Sequence, residues 1–286
     1  MTTKFRNLIK QNRLQLSIIL IFLIATFFLT YTLFSDKTVR VSLDNVVVRT
    51  GPALSYSKSG IVNSGKRVTV LKKKSGWLRV RYNDDHFGWI PSWLTNRKFN
   101  FSKATNLSEA TIVLDPGHGG NDSGALGINQ KHEEKTYTLK TAKLVQKSLE
   151  AKGARVLMTR STDEYVSLAA RATMANKHKA NAFISFHYDS APENNSGSGD
   201  TTYYYHKKTS LRLAELVNSQ LKSKISLNNR GVQFGDFEVI RDNTHPALLI
   251  EGGYINTSND FKQISSYHYR KQVASAVTVA LTQFFE

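Results

Sequence analysis

Apolar residues are distributed along the chain in three different ways. Residues 14–34 contain no charged side chain. In residues 41–96, short runs of alternating apolar and polar residues are separated by turn signals such as Gly-Pro, Ser-Gly and Asn-Asp. From residue 111 onward, short apolar runs alternate with segments in which apolar residues recur every three or four positions. These patterns predict a membrane-spanning helix, then a small all-β barrel, then an α/β domain whose mostly parallel central sheet is flanked by helices.

The pattern after residue 110 is regular enough to predict individual elements. The predicted strands are residues 111–115, 154–159, 181–187, 201–205, 237–241 and 246–251. Helices are predicted around residues 142–149, 168–175, 213–221 and 273–284, because apolar side chains there recur with the helical period. The last of these segments has the clearest apolar face.

The uncharged segment 14–34 is long enough to cross a bilayer, since a helix of this length spans about 30 Å. Lys4, Arg6, Lys10 and Arg13 precede it. They favour a cytoplasmic N-terminus at residues 1–13 and an exported remainder. A cleaved signal peptide is the alternative, but the apolar stretch is long for one, and residues 31–37 contain no small-x-small cleavage site. We therefore expect a single-pass anchor in the cell membrane with the α/β domain outside the cell.

The net charge of +17 is concentrated before the α/β domain. Residues 1–98 contain 17 Lys and Arg against four acidic residues, whereas residues 99–286 contain 22 against 18. A basic module attracts nucleic acid, an anionic membrane or an anionic wall polymer, and the predicted export argues against nucleic acid as a partner. The chain has no cysteine, so disulfides and thiolate metal ligands are excluded and any metal must bind to His, Asp or Glu.

Ionisable residues follow or end three of the short apolar runs in the α/β region. The runs 112–114, 183–186 and 247–250 are typical of buried strands, and His118, His187 and Glu251 come after them. Ionisable groups in such positions are costly unless they are paired or bound to metal, and open α/β sheets build their sites at strand ends. Two imidazoles and a carboxylate are a common ligand set for a catalytic zinc ion. Residues 132–135, His-Glu-Glu-Lys, supply further candidate ligands.

Residues 45–90 contain a second recognisable pattern. It opens with Asn-Val-Val-Val-Arg-Thr-Gly-Pro at 45–52, continues with Gly-Trp-Leu-Arg-Val at 76–80 and closes with Gly-Trp-Ile at 88–90. The pattern resembles the bacterial SH3-like domain, which implies binding of cell-wall peptide or a partner rather than catalysis. Trp77, Trp89 and Trp93 are candidates for stacking on a ligand, although Trp77 and Trp89 are expected to fill the barrel core. Residues 97–109 are expected to link this domain to the next.

Four motifs of the α/β region carry a resemblance when they are taken together in order. They are Asp-Pro-Gly-His-Gly-Gly at 115–120, Glu-Glu-Lys at 133–135, Ile-Ser-Phe-His at 184–187 and Glu-Gly-Gly-Tyr at 251–254. Longer signatures at 157–176, 229–232 and 239–251 accompany them. Residues 110–286 thereby resemble the zinc-dependent N-acetylmuramoyl-L-alanine amidases of the amidase-3 family. The resemblance implies cleavage of the amide bond between N-acetylmuramic acid and L-alanine in peptidoglycan.

The resemblance also implies roles for single residues. It assigns one zinc ion to His118, Glu134 and His187, and it makes Glu251 the catalytic proton carrier. Glu134 is preferred to its neighbours Glu133 and His132, because the family pattern contains a Glu-Lys dipeptide.

Three further residues, Asp189, Arg230 and His245, are expected to contact substrate. Asp189 stands where relatives often have an amide, which adds negative charge near the metal. The glycines at 117, 119 and 120 are expected to let the backbone around His118 adopt positive φ angles and approach closely.

Other interpretations remain open at this level. A lone histidine at a strand end is more often an ordinary hydrogen-bonded residue, and Glu251 taken alone could be an ion-pair partner of Arg230 or Arg241. The protein could be a wall-binding scaffold that has lost activity, or a zinc peptidase or deacetylase that acts elsewhere on peptidoglycan. The complete set of four groups argues against the scaffold, and the extended resemblance argues against the other hydrolases. Anchoring predicts action on nascent peptidoglycan near the membrane, and a membrane-protein activator is a further hypothesis.

Overall fold

The computed structural model describes residues 12–34 and 37–286. The first element is helix α1, Arg13–Phe34. Within the described residues it is the one helix long and apolar enough to cross a membrane, with a mean hydropathy of 2.2 over Arg13–Tyr31 and no part of that stretch buried against the rest of the protein. A signal sequence has the same length and composition. Most of the basic segment predicted to be cytoplasmic, residues 1–11, lies outside the described residues.

The predicted barrel is an antiparallel sheet of six short strands. They are β1 (Thr38–Arg40), β2 (Val46–Arg49), β3 (Lys58–Val62), β4 (Arg67–Lys74), β5 (Trp77–Asn83) and β6 (His86–Pro91), in the spatial order β1-β4-β5-β6-β2-β3. Alternate residues point to opposite faces of a strand, so Val68, Val80 and Ile90 enter the core while charged neighbours stay outside. Trp77 is buried, as expected, and Trp89 packs against the barrel core but stays half-buried.

The C-terminal domain is a three-layer α/β fold. Its strands are β7 (Thr111–Pro116), β8 (Arg155–Met158), β9 (Ala182–Asp189), β10 (Asp200–Tyr204), β11 (Asn229–Phe234) and β12 (Ala247–Tyr254). The sheet order is β11-β10-β12-β9-β7-β8, and every neighbouring pair is parallel except β10 with β12. This confirms the mostly parallel sheet that the sequence predicts.

Helices cover both faces of this sheet. They are α2 (Glu134–Glu150), α3 (Leu168–His178), α4 (Lys207–Lys224), α5 (Glu238–Arg241), α6 (Ser258–Ile264) and α7 (Tyr267–Phe285). Ile112 and Leu114 of β7 face a core shared with α2, α4 and α7, while Val113 between them faces α3 and α5. Because both faces are covered, the strands are apolar almost throughout, and the polar groups are confined to their ends.

One strand prediction is wrong and one strand is missing from the prediction. Residues 237–241 form the short helix α5 instead of a strand. A run of two or three apolar residues cannot distinguish the two structures, and here Val239 and Ile240 are buried by packing against α3. Strand β11 was not predicted because it is an edge strand with a half-exposed pattern and little apolar alternation.

Residues 97–109 connect the two domains, but they are not a free tether. Phe99 and Phe101 pack on the barrel core, and Leu107 belongs to the core of the α/β domain. The carboxylate of Glu109, which is 1% exposed, accepts hydrogen bonds from Arg49 Nη2 and from the backbone N–H of Val47, both at 2.8 Å.

Aromatic residues extend this interface. The indole N–H of Trp93 donates to the carbonyl of Ser108 at 2.8 Å, and the guanidinium of Arg155 lies over the Trp93 ring, 5.6 Å from its centroid. The Arg155 side chain also donates to the carbonyl of Ser75 in the barrel. Trp93 therefore contacts both domains. The barrel packs against the α/β domain through buried polar and aromatic groups.

Candidate active site

His118 lies in a tight loop directly after strand β7. Its own φ is 61°, a left-handed conformation that non-glycine residues rarely adopt and that is concentrated at functional sites. Gly119 and Gly120, with φ of 131° and 62°, continue the turn as expected. At Gly117 the φ angle is not positive, so that part of the expectation is wrong there, whereas the close approach is confirmed. A Cβ there would lie 2.1 Å from Cε1 of His187, so this glycine makes room for the second imidazole.

Three of the predicted residues meet at the ends of these elements. Glu134 begins helix α2, and His187 lies near the end of β9. The Nε2 atom of His118 is 3.0 Å from one carboxylate oxygen of Glu134, and the Nδ1 atom of His187 is 3.0 Å from the other. One donor atom from each of the three residues can be chosen so that all lie within 4.8 Å of one another. These residues could together hold a divalent metal ion.

The position of Glu134 is held by backbone groups as well as by the histidines. Its side chain is 3% exposed and accepts hydrogen bonds from the backbone N–H groups of Ala125 and Tyr188, both at 2.9 Å. Glu133 instead lies beside Lys135, 3.3 Å away, and His132 pairs with the hydroxyl of Tyr137. The structure thus brings Glu134 to the histidines and leaves the two alternative ligands, Glu133 and His132, outside the cluster.

Asp122 orients the first imidazole, and the sequence analysis did not identify it. Its Oδ2 atom lies 2.9 Å from Nδ1 of His118. An Nδ1–H that donates to this carboxylate leaves Nε2 unprotonated and directed at Glu134, the arrangement in which a second group fixes the tautomer of a metal-binding histidine. The only available signal was the carboxylate four residues after His118.

Two buried arginines hold the His118 loop in place through hydrogen bonds to its backbone carbonyls. Arg171 donates to the carbonyls of Pro116 at 2.7 Å and His118 at 2.9 Å, and its side chain also pairs with the buried carboxylate of Asp115. Arg160 donates to the carbonyl of Gly117 and so holds the same loop.

Arg160 reaches the second ligand as well. It donates to the carbonyl of Lys135 at 2.8 Å, the residue directly after Glu134. Arg160 therefore ties the loop of one candidate ligand to the helix of another. Both arginines lie in the signature at 157–176, but the sequence does not reveal that they point inward.

Glu251 lies beside the cluster because of strand register. It stands directly opposite His187 in the parallel pairing of β12 with β9. Its Oε2 atom is buried and has no hydrogen-bond partner among the described residues, although the residue as a whole is partly exposed. Arg230 and Arg241 form no ion pair with it, since Arg241 pairs with Asp236 and Asp242 and Arg230 lies over Tyr254. A buried carboxyl oxygen without a partner is costly, which is typical of a functional group.

The charges in the site shift its pKa values in opposite directions. Burial, followed by the negative charges of Glu134 and Asp189, raises the pKa of Glu251 well above its ordinary value of 4.5. Burial acts in the same direction on Glu134, but hydrogen bonds and charges of His118 and His187 outweigh it and lower the pKa of Glu134 to about 2. Two carboxyl groups whose pKa values are shifted in opposite directions are typical of sites in which one binds a cation and the other carries a proton.

The three predicted substrate-contact residues lie in different places. Asp189 ends β9 opposite Tyr254 of β12, and Arg230 lies over the ring of Tyr254 at 5.6 Å from its centroid. These two residues and Tyr254 therefore form one polar flank near Glu251. His245 precedes the first residue of β12, at the opposite end of that strand from Tyr254, and the structure does not bring it to the cluster.

A cleft of about 410 Å³ adjoins the cluster. His118 and His187 line it together with the apolar residues Tyr165, Leu168 and Phe237. Its charged lining residues are Asp122, Arg171, Asp236 and Glu238. Tyr165 is 58% exposed and Phe237 37% exposed. We call the part of the cleft lined by Tyr165 and Phe237 the aromatic flank, and Asp189, Arg230 and Tyr254 the polar flank. Both adjoin the candidate cluster, which suits a substrate that extends beyond the reacting amide.

Comparison with known proteins identifies the family. Residues 112–283 match the family described as N-acetylmuramoyl-L-alanine amidase, and residues 44–96 match the bacterial SH3 domain. The chain is 36% identical over 255 residues to a "Probable cell wall amidase LytH" of Staphylococcus saprophyticus, a match that covers 87% of this chain and 85% of that protein. The chain belongs to the N-acetylmuramoyl-L-alanine amidases. This confirms both resemblances seen in the sequence.

Solved amidase structures share the fold of the α/β domain. The catalytic domain of CwlV from Bacillus (Paenibacillus) polymyxa is 33% identical, with a TM-score of 0.59, and the match covers 61% of this chain and 97% of that domain. The amidase AmiC2 of Nostoc punctiforme is 34% identical with a TM-score of 0.58, covering 61% of this chain and 96% of that one. The chain is thus a peptidoglycan amidase that carries an SH3-like barrel and an N-terminal apolar helix.

Proposed function

We propose that this amidase depends on one zinc ion bound by His118, Glu134 and His187, and that it uses Glu251 to cleave the bond between N-acetylmuramic acid and L-alanine. The observation that carries the proposal is the meeting of two imidazoles and one carboxylate beside the unpartnered oxygen of Glu251. The donor set suits zinc, whose tetrahedral bonds of about 2.0–2.1 Å separate neighbouring ligands by roughly 3.4 Å. The 3.0 Å contacts between the imidazoles and Glu134 are close to that spacing.

The chain's own residues account for the proton movements of the reaction. A bound zinc ion supplies a Lewis acid that polarises the amide carbonyl and makes water acidic near neutral pH. With a cation bound at the cluster, its positive charge would oppose the effects that raise the pKa of Glu251 and favour the carboxylate form. That carboxylate accepts a proton from the attacking water while the water oxygen bonds to the carbonyl carbon. It then gives that proton to the amide nitrogen, so that the C–N bond breaks and L-alanine leaves as an amine. Asp122, Arg160 and Arg171 act before this step, by holding His118 and Glu134 in place.

The two flanks support an assignment of the parts of the substrate. Peptidoglycan reaches away from the reacting amide both as a glycan strand and as a stem peptide. We infer that Tyr165 and Phe237 of the cleft contact one of these arms and that Asp189 and Arg230 contact the polar groups of the other.

The N-terminal helix supports a location at the outer membrane surface. We propose that residues 14–34 anchor the chain with residues 1–13 in the cytoplasm, residues 41–96 as the SH3-like barrel and residues 110–286 as the extracellular amidase domain. The barrel packs on the amidase domain through Glu109 and Trp93, so the active site stays near the point where the chain leaves the bilayer. Nascent peptidoglycan close to the membrane is then the accessible substrate.

A digest of purified muropeptides tests the chemistry. Full-length protein in detergent should release free glycan and peptides that begin with L-alanine, and a chelator should stop the release until zinc is added back. Glu251→Gln should be inactive with an unchanged zinc content, while Glu133→Gln, a neighbour outside the cluster, should retain activity. New termini inside the peptide would refute the amide-bond assignment, and equal activity of Glu251→Gln and the parent would refute the role of Glu251.

The anchor is tested on intact cells. The mature protein should keep residues 1–34, as shown by its mass, and should stay with the membrane fraction in high salt. A mature chain that begins after residue 34 would establish a cleaved signal sequence instead. A membrane-protein activator stays a prediction, tested by co-purification of the full-length chain from detergent.

A further inference from the structure

The outer face of strands β1, β4 and β5 carries a dense set of cations. Arg40, Arg67, Lys72 and Arg79 are all exposed there. Their common orientation follows from the strand register, in which Arg40 stands opposite Arg67 and Lys72 stands opposite Arg79. Residues directly opposite in an antiparallel pair project from the same face of the sheet. We call these four residues the basic face.

The cross-strand pairs of cations within the basic face lower the stability of the protein when no anion is bound to it. Like charges directly opposite one another destabilise a sheet, yet both cross-strand pairs here are of that kind. Strands β1, β4, β5 and β6 contain no Asp or Glu to relieve the repulsion. Among the described residues, no carboxylate forms an ion pair with any of the four cations. The ion pair of Arg49 with Glu109 lies at the domain interface. Within residues 12–34 and 37–286, the positive charge of this face is therefore not neutralised by an ion pair.

Apolar side chains border the basic face on the same side of the sheet. Trp89 of β6 stands opposite Arg79 and is half-buried, and Phe87 stands opposite Arg81 and is 46% exposed. Leu71, in the irregular stretch of β4 between Val70 and Lys72, is 48% exposed. Cations combined with Trp, Phe and Leu are typical of surfaces that lie in the headgroup region of a bilayer.

The chain path brings this face to a membrane. Strand β1, which supplies Arg40, begins at Thr38, only four residues after Phe34 at the end of α1. Four residues of extended chain reach at most about 14 Å. If α1 spans the bilayer, the barrel cannot leave its surface. This step rests on the anchor proposed above and is independent of the chemistry of the active site.

We propose that the basic face binds the anionic phospholipid headgroups of the bilayer in which α1 is embedded. Headgroup phosphates relieve the repulsion within both cation pairs, and Trp89, Phe87 and Leu71 enter the interfacial layer beside them. Since the barrel is packed on the amidase domain through Glu109 and Trp93, binding of this face fixes the direction in which the active-site cleft points. The SH3-like barrel then acts as an orienting contact with lipid.

The absence of cysteine makes a direct test possible. Thr69 lies on the same side of the sheet, between the cations of β1 and β5, because it stands opposite Thr38 and Arg81. Full-length Thr69→Cys protein carries a fluorophore at that site and is placed in nanodiscs that contain a headgroup-linked quencher. Discs of phosphatidylcholine alone are compared with discs that also contain phosphatidylglycerol. Quenching should be strong only with phosphatidylglycerol and should be lost in high salt, which screens exposed charges. A label at Ser223→Cys on helix α4 reports quenching that does not depend on the basic face.

A charge-neutralised variant separates the face from the overall charge of the protein. Arg67→Gln, Lys72→Gln and Arg79→Gln combined should lower the equilibrium constant for lipid contact by about 100-fold, from roughly fivefold per cation near an anionic surface. The control combines Lys143→Gln, Lys147→Gln and Lys152→Gln, exposed lysines in or just after helix α2, and should behave like the parent. In phosphatidylcholine discs the face variant should unfold at a temperature no lower than the parent, since it loses both like-charge pairs.

The outcomes distinguish this proposal from its alternatives. Equal quenching in both kinds of disc, or equal quenching of the face variant and the parent, overturns it. Soluble poly(glycerol phosphate) is added to anionic discs at a matched phosphate concentration. If it abolishes the quenching of the Thr69→Cys label in the parent and has no effect on the face variant, the face prefers a wall polymer and the lipid assignment is wrong. Failure of the parent to enter phosphatidylcholine discs refutes the anchor instead, and muropeptide cleavage measured on the same samples reports separately on the proposed chemistry.

Discussion

Glu251 and His187 stand directly opposite each other on the adjacent parallel strands β12 and β9. This one register pair places a carboxyl group with a raised pKa beside an imidazole of the candidate metal cluster. A shift of the pairing by one residue would turn the side chain of Glu251 to the other face of the sheet. The apolar residues that precede Glu251 on β12 therefore help to set the geometry of the site, because their burial fixes the register.

The unpartnered carboxyl of Glu251 should lower the stability of the metal-free protein as pH rises. Its folded pKa lies well above 4.5, so above pH 4.5 the unfolded chain ionises while the folded state keeps the proton. Stability from this residue is therefore present at low pH and is lost as pH rises toward the folded pKa. Glu251→Gln has no titratable group at this position, so it should lack this pH dependence and be the more stable protein at neutral pH, with a difference that grows by about 1.4 kcal/mol per pH unit between the two pKa values. Thermal unfolding of the chelator-treated proteins at several pH values measures the difference. A smaller stability of the variant at neutral pH would contradict the assigned shift.

Removal of Asp122 should weaken metal binding without unfolding the domain. Asp122→Ala deletes the acceptor for Nδ1 of His118, and loss of such a partner typically reduces metal affinity by about 10–100-fold. Competition with a chromogenic chelator measures this directly. Asp85→Ala, in an exposed turn of the barrel, is the matched control and should bind zinc like the parent.

Metal affinity should fall in mildly acidic solution. Burial lowers the pKa of His118, but the hydrogen bond and charge of Glu134, together with Asp122, outweigh it and raise that pKa above 6.5. A metal must displace this proton, so below the raised pKa the affinity should fall by about tenfold per pH unit for each proton released. Proton release on zinc binding, measured in buffers of different ionisation enthalpy, provides the check. An affinity that does not change between neutral and mildly acidic pH would contradict the combination of a raised His118 pKa with metal binding by that imidazole.

The domain interface should depend on Glu109. Glu109→Ala leaves the guanidinium of Arg49 buried without its partner, which typically costs about 3–5 kcal/mol. The barrel and the amidase domain should both lose stability, measured by thermal unfolding and by proteolysis between them. Glu150→Ala, which removes an exposed carboxylate on α2, should have little effect. Replacement of both Arg49 and Glu109 by Met should recover much of the loss, since no charge is then left unpaired.

The aromatic flank should act on substrate binding more than on the chemical step. Phe237 lines the cleft next to the candidate ligands. Its replacement by Ala should raise KM by roughly tenfold, because the lost binding free energy is about half of that gained by fully burying an aromatic side chain. The change in kcat should be smaller. Phe234→Ala is the control because this exposed residue does not line the cleft. A fall in kcat at unchanged KM would contradict a binding role.

The order of most elements and the residues that meet in the candidate cluster were predictable from the sequence. The strand before His118 and the strand that carries His187 are apolar runs buried on both faces, which local pattern identifies well. Strand β11 and helix α5 were not predicted correctly, because a short edge strand and a single helical turn depend on neighbours that local pattern does not contain. The preference for Glu134 over Glu133 as a ligand came from the family pattern. In the structure, Glu134 begins helix α2 and reaches the histidines, whereas the side chain of Glu133 lies beside Lys135.

The sequence by itself determined the apolar periods, the excess of positive charge before the amidase domain, and the few side chains capable of binding a metal. These are properties of residue type and local spacing, and they persist in any conformation. Only the tertiary structure decided that Arg160 and Arg171 turn inward to hold the His118 loop, that Tyr254 lies between Asp189 and Arg230, and that residues 97–109 are packed between two domains. Each of these contacts joins residues distant in sequence, and their side chains take those positions only because the buried sheet fixes the register of the strands around them.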